Sequence, residues 1–153
     1  MEILVPKISD FTEVNKIAKQ VHELHVSWRP DIYVSVDTVI LKEVYENMVE
    51  NSNIFVIKYK GNIIGYTSFQ IEEKSSHGMH DRKILKINAL AIDEVYRGKG
   101  FGTKLLEHIE GYARQNNCTD IYLSVNEENI QAKKLYEKIG MTVKNINYSK
   151  KLK

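Results

Sequence analysis

The tightest constraint on the fold is one continuous stretch. The apolar run Ile84–Ile92 is followed by the short step Asp93-Glu94-Val95-Tyr96, and then by Arg97-Gly98-Lys99-Gly100-Phe101-Gly102-Thr103 and a helical pattern. Ile84 to Ile92 is apolar enough to lie centrally in a sheet. Over Lys99 to Asn116 the residues Leu105, Leu106, Ile109 and Tyr112 recur at helical spacing. Glycine at three alternate positions lets the backbone approach a ligand without side-chain obstruction. The next helix offers unpaired N–H groups and a positive dipole end at its first turn, and together these make an anion cradle. Arg97 and Lys99 add positive charge at the rim. The pattern favours a phosphorylated ligand, since a pyrophosphate uses several N–H donors at once.

Two better-known glycine loops do not fit. A dinucleotide fingerprint needs Gly-x-Gly-x-x-Gly in a first βαβ unit with an acidic residue about 20 positions on. Gly98-x-Gly100-x-Gly102 has a different last interval and lies two-thirds along the chain. A Walker loop ends Gly-Lys-Ser/Thr, whereas Gly102-Thr103-Lys104 reverses that order. A tight glycine turn with no ligand stays open as the structural alternative.

The other elements read as follows. Glu2 to Ile8 is a first strand, and Ser9 or Asp10 caps a helix with apolar residues from Val14 through Ile17, Ala18, Val21, Leu24 and His25. Arg29-Pro30-Asp31 ends it, because the residue before proline leaves helical geometry. A second helix is expected from Asp37 through Val49. Asn53–Tyr59 and Asn62–Ile71 flank Lys60-Gly61, a hairpin signal, and Glu72 to Arg82 is a polar loop or hairpin tip. Asp120–Val125 is a buried strand, Asn129–Ile139 a helix ending at Gly140, and Met141–Tyr148 a last strand. The order β-α-α-β-β-β-α-β-α-β predicts a mixed α/β domain spanning 1–153, with no linker or repeat.

Composition narrows the class. With 22 basic and 20 acidic residues the formal charge is only +2, so no electrostatic case exists for nucleic acid. Lys150, Lys151 and Lys153 read as a solvated terminus. The single cysteine, Cys118, excludes an intramolecular disulfide and a multi-cysteine zinc site. No apolar run is long enough for a membrane span, and Met1–Asp10 lacks the pattern of a secretion signal, so a soluble cytoplasmic protein is expected. His77 and His80 have no third ligand nearby, and no metal is expected.

Arg97-Gly98-Lys99-Gly100-Phe101-Gly102 matches every fixed position of the signature Arg/Gln-x-x-Gly-x-Gly/Ala, and here the chain resembles the GNAT superfamily of N-acetyltransferases. A second family segment, Asn-x-x-Ala-x-x-Leu-Tyr-Glu-Lys-x-Gly-Phe, is met by Asn129, Ala132, Leu135, Tyr136, Glu137, Lys138 and Gly140, with Met141 replacing phenylalanine. The resemblance covers the whole chain in element order and Ile84 to Met141 in specific residues. It implies an α/β (α+β) fold: a mixed, mostly antiparallel sheet of about six to seven strands, splayed at the cofactor cleft, with about four helices. It also implies acetyl-CoA as co-substrate, its pantetheine arm paired with the backbone at Leu90, Ala91 and Ile92 as a surrogate strand. Gly98 to Thr103 would hold the pyrophosphate, with Arg97 and Lys99 beside it and Asn129 and Ala132 on the opposite helix. A homodimer is the assembly it allows.

Acyl transfer from a thioester to an amine needs a neutral amine, a donor for the oxyanion and a proton for the leaving thiolate. Tyr136 is the candidate acid, since a phenol stays protonated at neutral pH; core packing beside Leu135 is its structural alternative. The oxyanion donor is expected from a backbone N–H around Leu90–Ile92. Many family members carry a glutamate on the fourth strand where this chain has Asn88. Asparagine cannot take a proton but can orient a water, so deprotonation is left to a water chain or to His22, His25 or Glu23. His25, Trp28, Arg29, Asp31 and Tyr33 lie where the family walls its acceptor pocket, and Asp31 could pair with a cationic amine. A structural turn with Arg29 paired to Asp31 stays equally open. The chain therefore reads as an N-acetyltransferase acting on a primary amine of a small molecule or of a protein or peptide. The alternatives are an acyl-CoA-binding regulatory domain with little or no catalysis, or transfer to a hydroxyl.

Overall fold

A computed structural model describes residues 1–153. Its elements are β1 (Glu2–Leu4), α1 (Phe11–Trp28), α2 (Lys42–Glu50), β2 (Ile54–Tyr59), β3 (Asn62–Lys74), β4 (Arg82–Ile92), α3 (Phe101–Gln115), β5 (Asp120–Tyr122) and α4 (Ile130–Lys138). The five strands form one sheet in the order β1-β2-β3-β4-β5. The first four are antiparallel and β5 joins β4 in parallel, so the sheet is mixed and mostly antiparallel.

β2 and β3 carry apolar residues on both faces because both faces are covered. Ile54 and Val56 pack with Val14, Ile17 and Tyr45 under α1 and α2. Phe55 and Ile57 pack with Leu105, Leu106 and Ile109 under α3. The β2–β3 turn has positive φ at both Lys60 (51°) and Gly61 (80°), the primed geometry that suits twisted strands.

Several boundaries differ from the sequence expectation. The first strand stops at Leu4 rather than Ile8: Pro6 has no N–H for a ladder, and Ile8–Asp10 forms a 3-10 turn. Asp10 stands at the N-cap of α1 but makes no cap bond there; its carboxylate accepts from the Lys7 N–H at 2.9 Å. Asp37 starts no helix; its carboxylate lies 3.7 Å from the Lys19 ammonium, and α2 begins at Lys42. The intervening Val34, Val36, Thr38, Val39 and Ile40 are β-branched and weak helix formers. The segment Glu72–Arg82 is the hairpin tip expected, though shorter: β3 extends to Lys74 and β4 starts at Arg82, leaving 75–81 as the turn.

The sheet has five strands rather than six or seven, because Met141–Tyr148 forms none and strand pairing at Asp120 ends with Tyr122. In a strand Val143 and Ile146 would point to opposite faces, leaving neither face apolar. They stay 76% and 69% exposed. No helix is long and apolar enough to cross a membrane.

Candidate active site

β4 and β5 pair only over Ile84–Lys86 and Asp120–Tyr122. Beyond that point they part. β4 runs on to Ile92 bonded to β3 alone, and the chain after Tyr122 leaves strand geometry. No strand pairs with the backbone edge of 87–92 that faces away from β3, and Arg97 engages only the Ile92 carbonyl at its end. Between the diverging segments lies a cavity of about 150 Å³, walled by Ile87–Ala91 and Leu123–Asn126 and closed by Val21, His25, Tyr66, Asn129 and Tyr136.

Asn88 owes its position to a bulge. Ser68 pairs with Ala89 and Phe69 with Ile87, so Asn88 is the extra residue on β4. The bulge reverses the alternation of the strand: Leu85 and Ile87 pack toward α3, whereas Ala89 and Ala91 pack toward α1. The Thr67 hydroxyl, fully buried, donates to the Ala89 carbonyl at 2.9 Å and holds the kink.

The glycine loop joins β4 to α3. Gly98 and Gly100 have φ of +74° and +87°, which side chains rarely adopt, and Gly100 is the N-cap of α3. The first helical bond runs from the Lys104 N–H to the Gly100 carbonyl at 3.2 Å. The N–H groups of Gly98 through Thr103 have no partner in the chain, so a row of donors faces outward at a helix N-terminus. Phe101 anchors the loop against Tyr59 and Tyr96, with ring centroids at 5.1 and 6.2 Å. Lys99 lies over the Tyr96 ring at 5.6 Å.

Arg97 is not a free charge at the rim. Its Nε donates to the Ile92 carbonyl at 2.8 Å and its Nη2 to Gln20 of α1 at 3.4 Å. Gln20 also accepts from the Glu94 N–H at 2.9 Å. The guanidinium thus ties the loop to the end of β4 and to α1, which fixes where the donors point.

On the other wall, the Asn129 side chain caps α4 by accepting from the Ala132 N–H at 3.2 Å. Its amide nitrogen makes no bond in the chain. Tyr136 lies two turns on and lines the same cavity, and burial raises its phenol above the ordinary tyrosine range. Tyr66, 4% exposed, is pushed up to about 12 for the same reason.

From α1, only Val21 and His25 line the cavity. The His25 ring meets Trp28 and Tyr33 edge-on at 5.4 and 5.3 Å. Arg29 and Asp31 form a two-pronged pair at 2.9 and 2.8 Å, and the guanidinium holds the Asp31 carboxyl down at about 2. The structure thus takes the paired alternative, and Asp31 offers no free carboxylate to an amine. His22 bonds the Val34 carbonyl at 2.7 Å, and Glu23 accepts from Ser35 at 3.0 Å while its other oxygen is buried without a partner. No group of three or more His, Cys, Asp or Glu side chains converges anywhere in the chain.

The structure brings together Asn88, Leu90, Ala91, His25, Asn129 and Tyr136 around one cavity. Trp28, Arg29, Asp31 and Tyr33 do not line it. Tyr66, Ser124 and Asn126 line it without having been anticipated. Polar residues appearing where an apolar strand run ends, as at Ser124 and Asn126, were the available signal.

The sequence model of the Acetyltransferase (GNAT) family matches residues 18–141. A spermine/spermidine N(1)-acetyltransferase of Bacillus subtilis (strain 168) is 29% identical over 135 residues, covering 87% of this chain and 85% of that protein. The fold superposes on a mutant of the BH1408 protein from Bacillus halodurans with a TM-score of 0.95 at 28% identity, over 99% of both chains. It also superposes on glucosamine-6-phosphate N-acetyltransferase from Arabidopsis thaliana, with a TM-score of 0.65 at 25% identity, over 99% of this chain and 98% of that one. The chain belongs to the Acetyltransferase (GNAT) family. It is an acetyl-CoA-dependent N-acetyltransferase.

Proposed function

We propose that residues 1–153 act as one cytoplasmic unit that moves the acetyl group of acetyl-CoA onto a primary amine of a small molecule, by direct attack in a ternary complex. The observation that carries this reading is the unpaired edge of β4 opening onto a cavity, with the row of free N–H groups at its end. A pyrophosphate suits the Gly98–Thr103 donors. A pantetheine arm, which carries amides, suits the edge at Leu90, Ala91 and Ile92, and Asn129 has a free amide nitrogen on the facing helix. The thioester would then lie in the cavity beside Tyr136.

The amine nitrogen attacks the thioester carbon, the C–N bond forms and the C–S bond breaks. A backbone N–H on Leu90–Ile92 stabilises the oxyanion, and Tyr136 gives its proton to the departing thiolate. The raised phenol range supports that role, since the group enters each turnover protonated. The cavity of about 150 Å³ supports a small acceptor over a folded protein chain. Because the Bacillus subtilis relative is named for spermine and spermidine, spermidine is the first acceptor to assay. Purified protein with acetyl-CoA and a panel of amines should release free thiol and yield a product heavier by one acetyl group. Thiol release that no amine stimulates would refute the reading.

A further inference from the structure

Resting on the amine-acetylation reading above, we propose that His25 is the general base: its Nε2 takes the proton that the acceptor amine loses. Alkylammonium groups are mostly protonated at neutral pH, so some group must accept a proton for attack to proceed. The cavity is lined by apolar side chains, Asn88, Ser124, Asn126, Asn129, two phenols and His25. No carboxylate, lysine or arginine lines it. Burial holds both phenols, Tyr66 and Tyr136, in the acid form. By elimination His25 is the one lining side chain with a basic nitrogen lone pair to accept a proton.

Geometry also fixes which nitrogen is basic. His25 Nδ1 lies 2.9 Å from the Val21 carbonyl, which can only accept, so Nδ1 carries the hydrogen. The neutral ring therefore has its lone pair on Nε2, and Nε2 has no hydrogen-bond partner in the chain. Trp28 and Tyr33 hold the ring edge-on, which keeps that lone pair in one orientation. The other two candidates on α1 do not line the cavity: His22 bonds the Val34 carbonyl, and Glu23 bonds Ser35 through one oxygen and buries the other away from the site. The charged and titratable groups around the ring are His22 one turn back, the Arg29–Asp31 pair one turn on, Tyr33 beside it, and Tyr66 and Tyr136 across the cavity. The ammonium nitrogen loses two protons: Nε2 takes the first and passes it to water, and the second leaves to water as the amide forms. The Tyr136 phenolate regains from water the proton it gave to the thiolate, so each turnover releases one net proton.

The test compares wild type with His25→Asn and His25→Ala. Asparagine can keep the donation to the Val21 carbonyl but has no atom at the Nε2 position. Wild-type acetylation of an amine is established first; without it the amine reading itself fails, and the variants are not needed to show that. Given activity, His25→Asn should lose on the order of 100-fold in kcat. Its acetyl-CoA-induced thermal shift and KM for acetyl-CoA should stay near wild type. The acidic limb of the rate profile should be replaced by a rate that climbs steadily with pH as free amine accumulates, and added imidazole should restore part of the His25→Ala rate. A kcat within about threefold of wild type, with the acidic limb intact, overturns the proposal. So does a loss that neither imidazole nor alkaline pH relieves, which would leave His25 only a packing role.

Discussion

Gly100 and Gly111 lie at the start and in the interior of the same helix, and the same substitution should act in opposite directions at the two. Gly100 has φ of +87°, and a Cβ built there meets nothing within 4 Å, so alanine adds strain without a clash. Left-handed geometry costs a non-glycine residue about 1–2 kcal/mol. For a domain of this size that lowers Tm by roughly 2–8 °C. Gly111 sits inside α3 with ordinary φ and equally open space, so alanine there should stabilise by about 0.4–1 kcal/mol. Ligand response then separates the two further. Acetyl-CoA at about 100 times its dissociation constant contributes roughly 2.7 kcal/mol. Gly111→Ala should keep that thermal shift, whereas Gly100→Ala should shrink it, because relief of the strained φ would turn the neighbouring N–H donors out of line. The assay is differential scanning fluorimetry with and without acetyl-CoA. A Gly100→Ala protein as stable as wild type, with an undiminished shift, would refute both the strained cap and the cradle.

Tyr136→Phe should keep acetyl-CoA binding while kcat falls by about 100-fold, read by thiol release. Asn88→Ala should lower kcat by about three- to tenfold, more than it raises the KM for acetyl-CoA, as expected for the loss of one hydrogen bond to water or substrate. Stability should decline between about pH 10 and 12: the unfolded chain loses the Tyr66 proton near 10 whereas the folded chain keeps it to about 12. The folded state then binds more protons, so its advantage shrinks as pH rises. Urea midpoints across that range should show the decline, and Tyr66→Phe should reduce it, leaving the part due to Tyr45, which burial also pushes up to about 12.

The glycine turn and the helix that carries Tyr136 were legible in the sequence because their determinants are local. Gly98 and Gly100 are needed by backbone geometry, and Asn129 caps the very helix that carries Tyr136. What was not legible depends on partners distant in the chain. Arg97 read as a rim charge, but Ile92 and Gln20 claim its guanidinium. The bulge at Asn88 is hidden in a run that is apolar on both faces, where the change of parity between Ile87 and Ala89 leaves no gap in the pattern. Met141–Tyr148 looked like a strand, yet its apolar residues split between two faces, Met141 and Val143 on one and Ile146 and Tyr148 on the other. Tyr66 entered the site through the packing of β3 against α1, which no spacing within Asn62–Ile71 announces.

Amide hydrogen exchange with and without acetyl-CoA tests the central claim most directly, because both proposed contacts are made by backbone N–H groups. Protection should appear in two blocks, at 87–92 on the free edge of β4 and at 98–103 in the glycine loop, with little change in β1 and β2. Protection confined to other segments, or binding that leaves both blocks exchanging as before, would contradict the account.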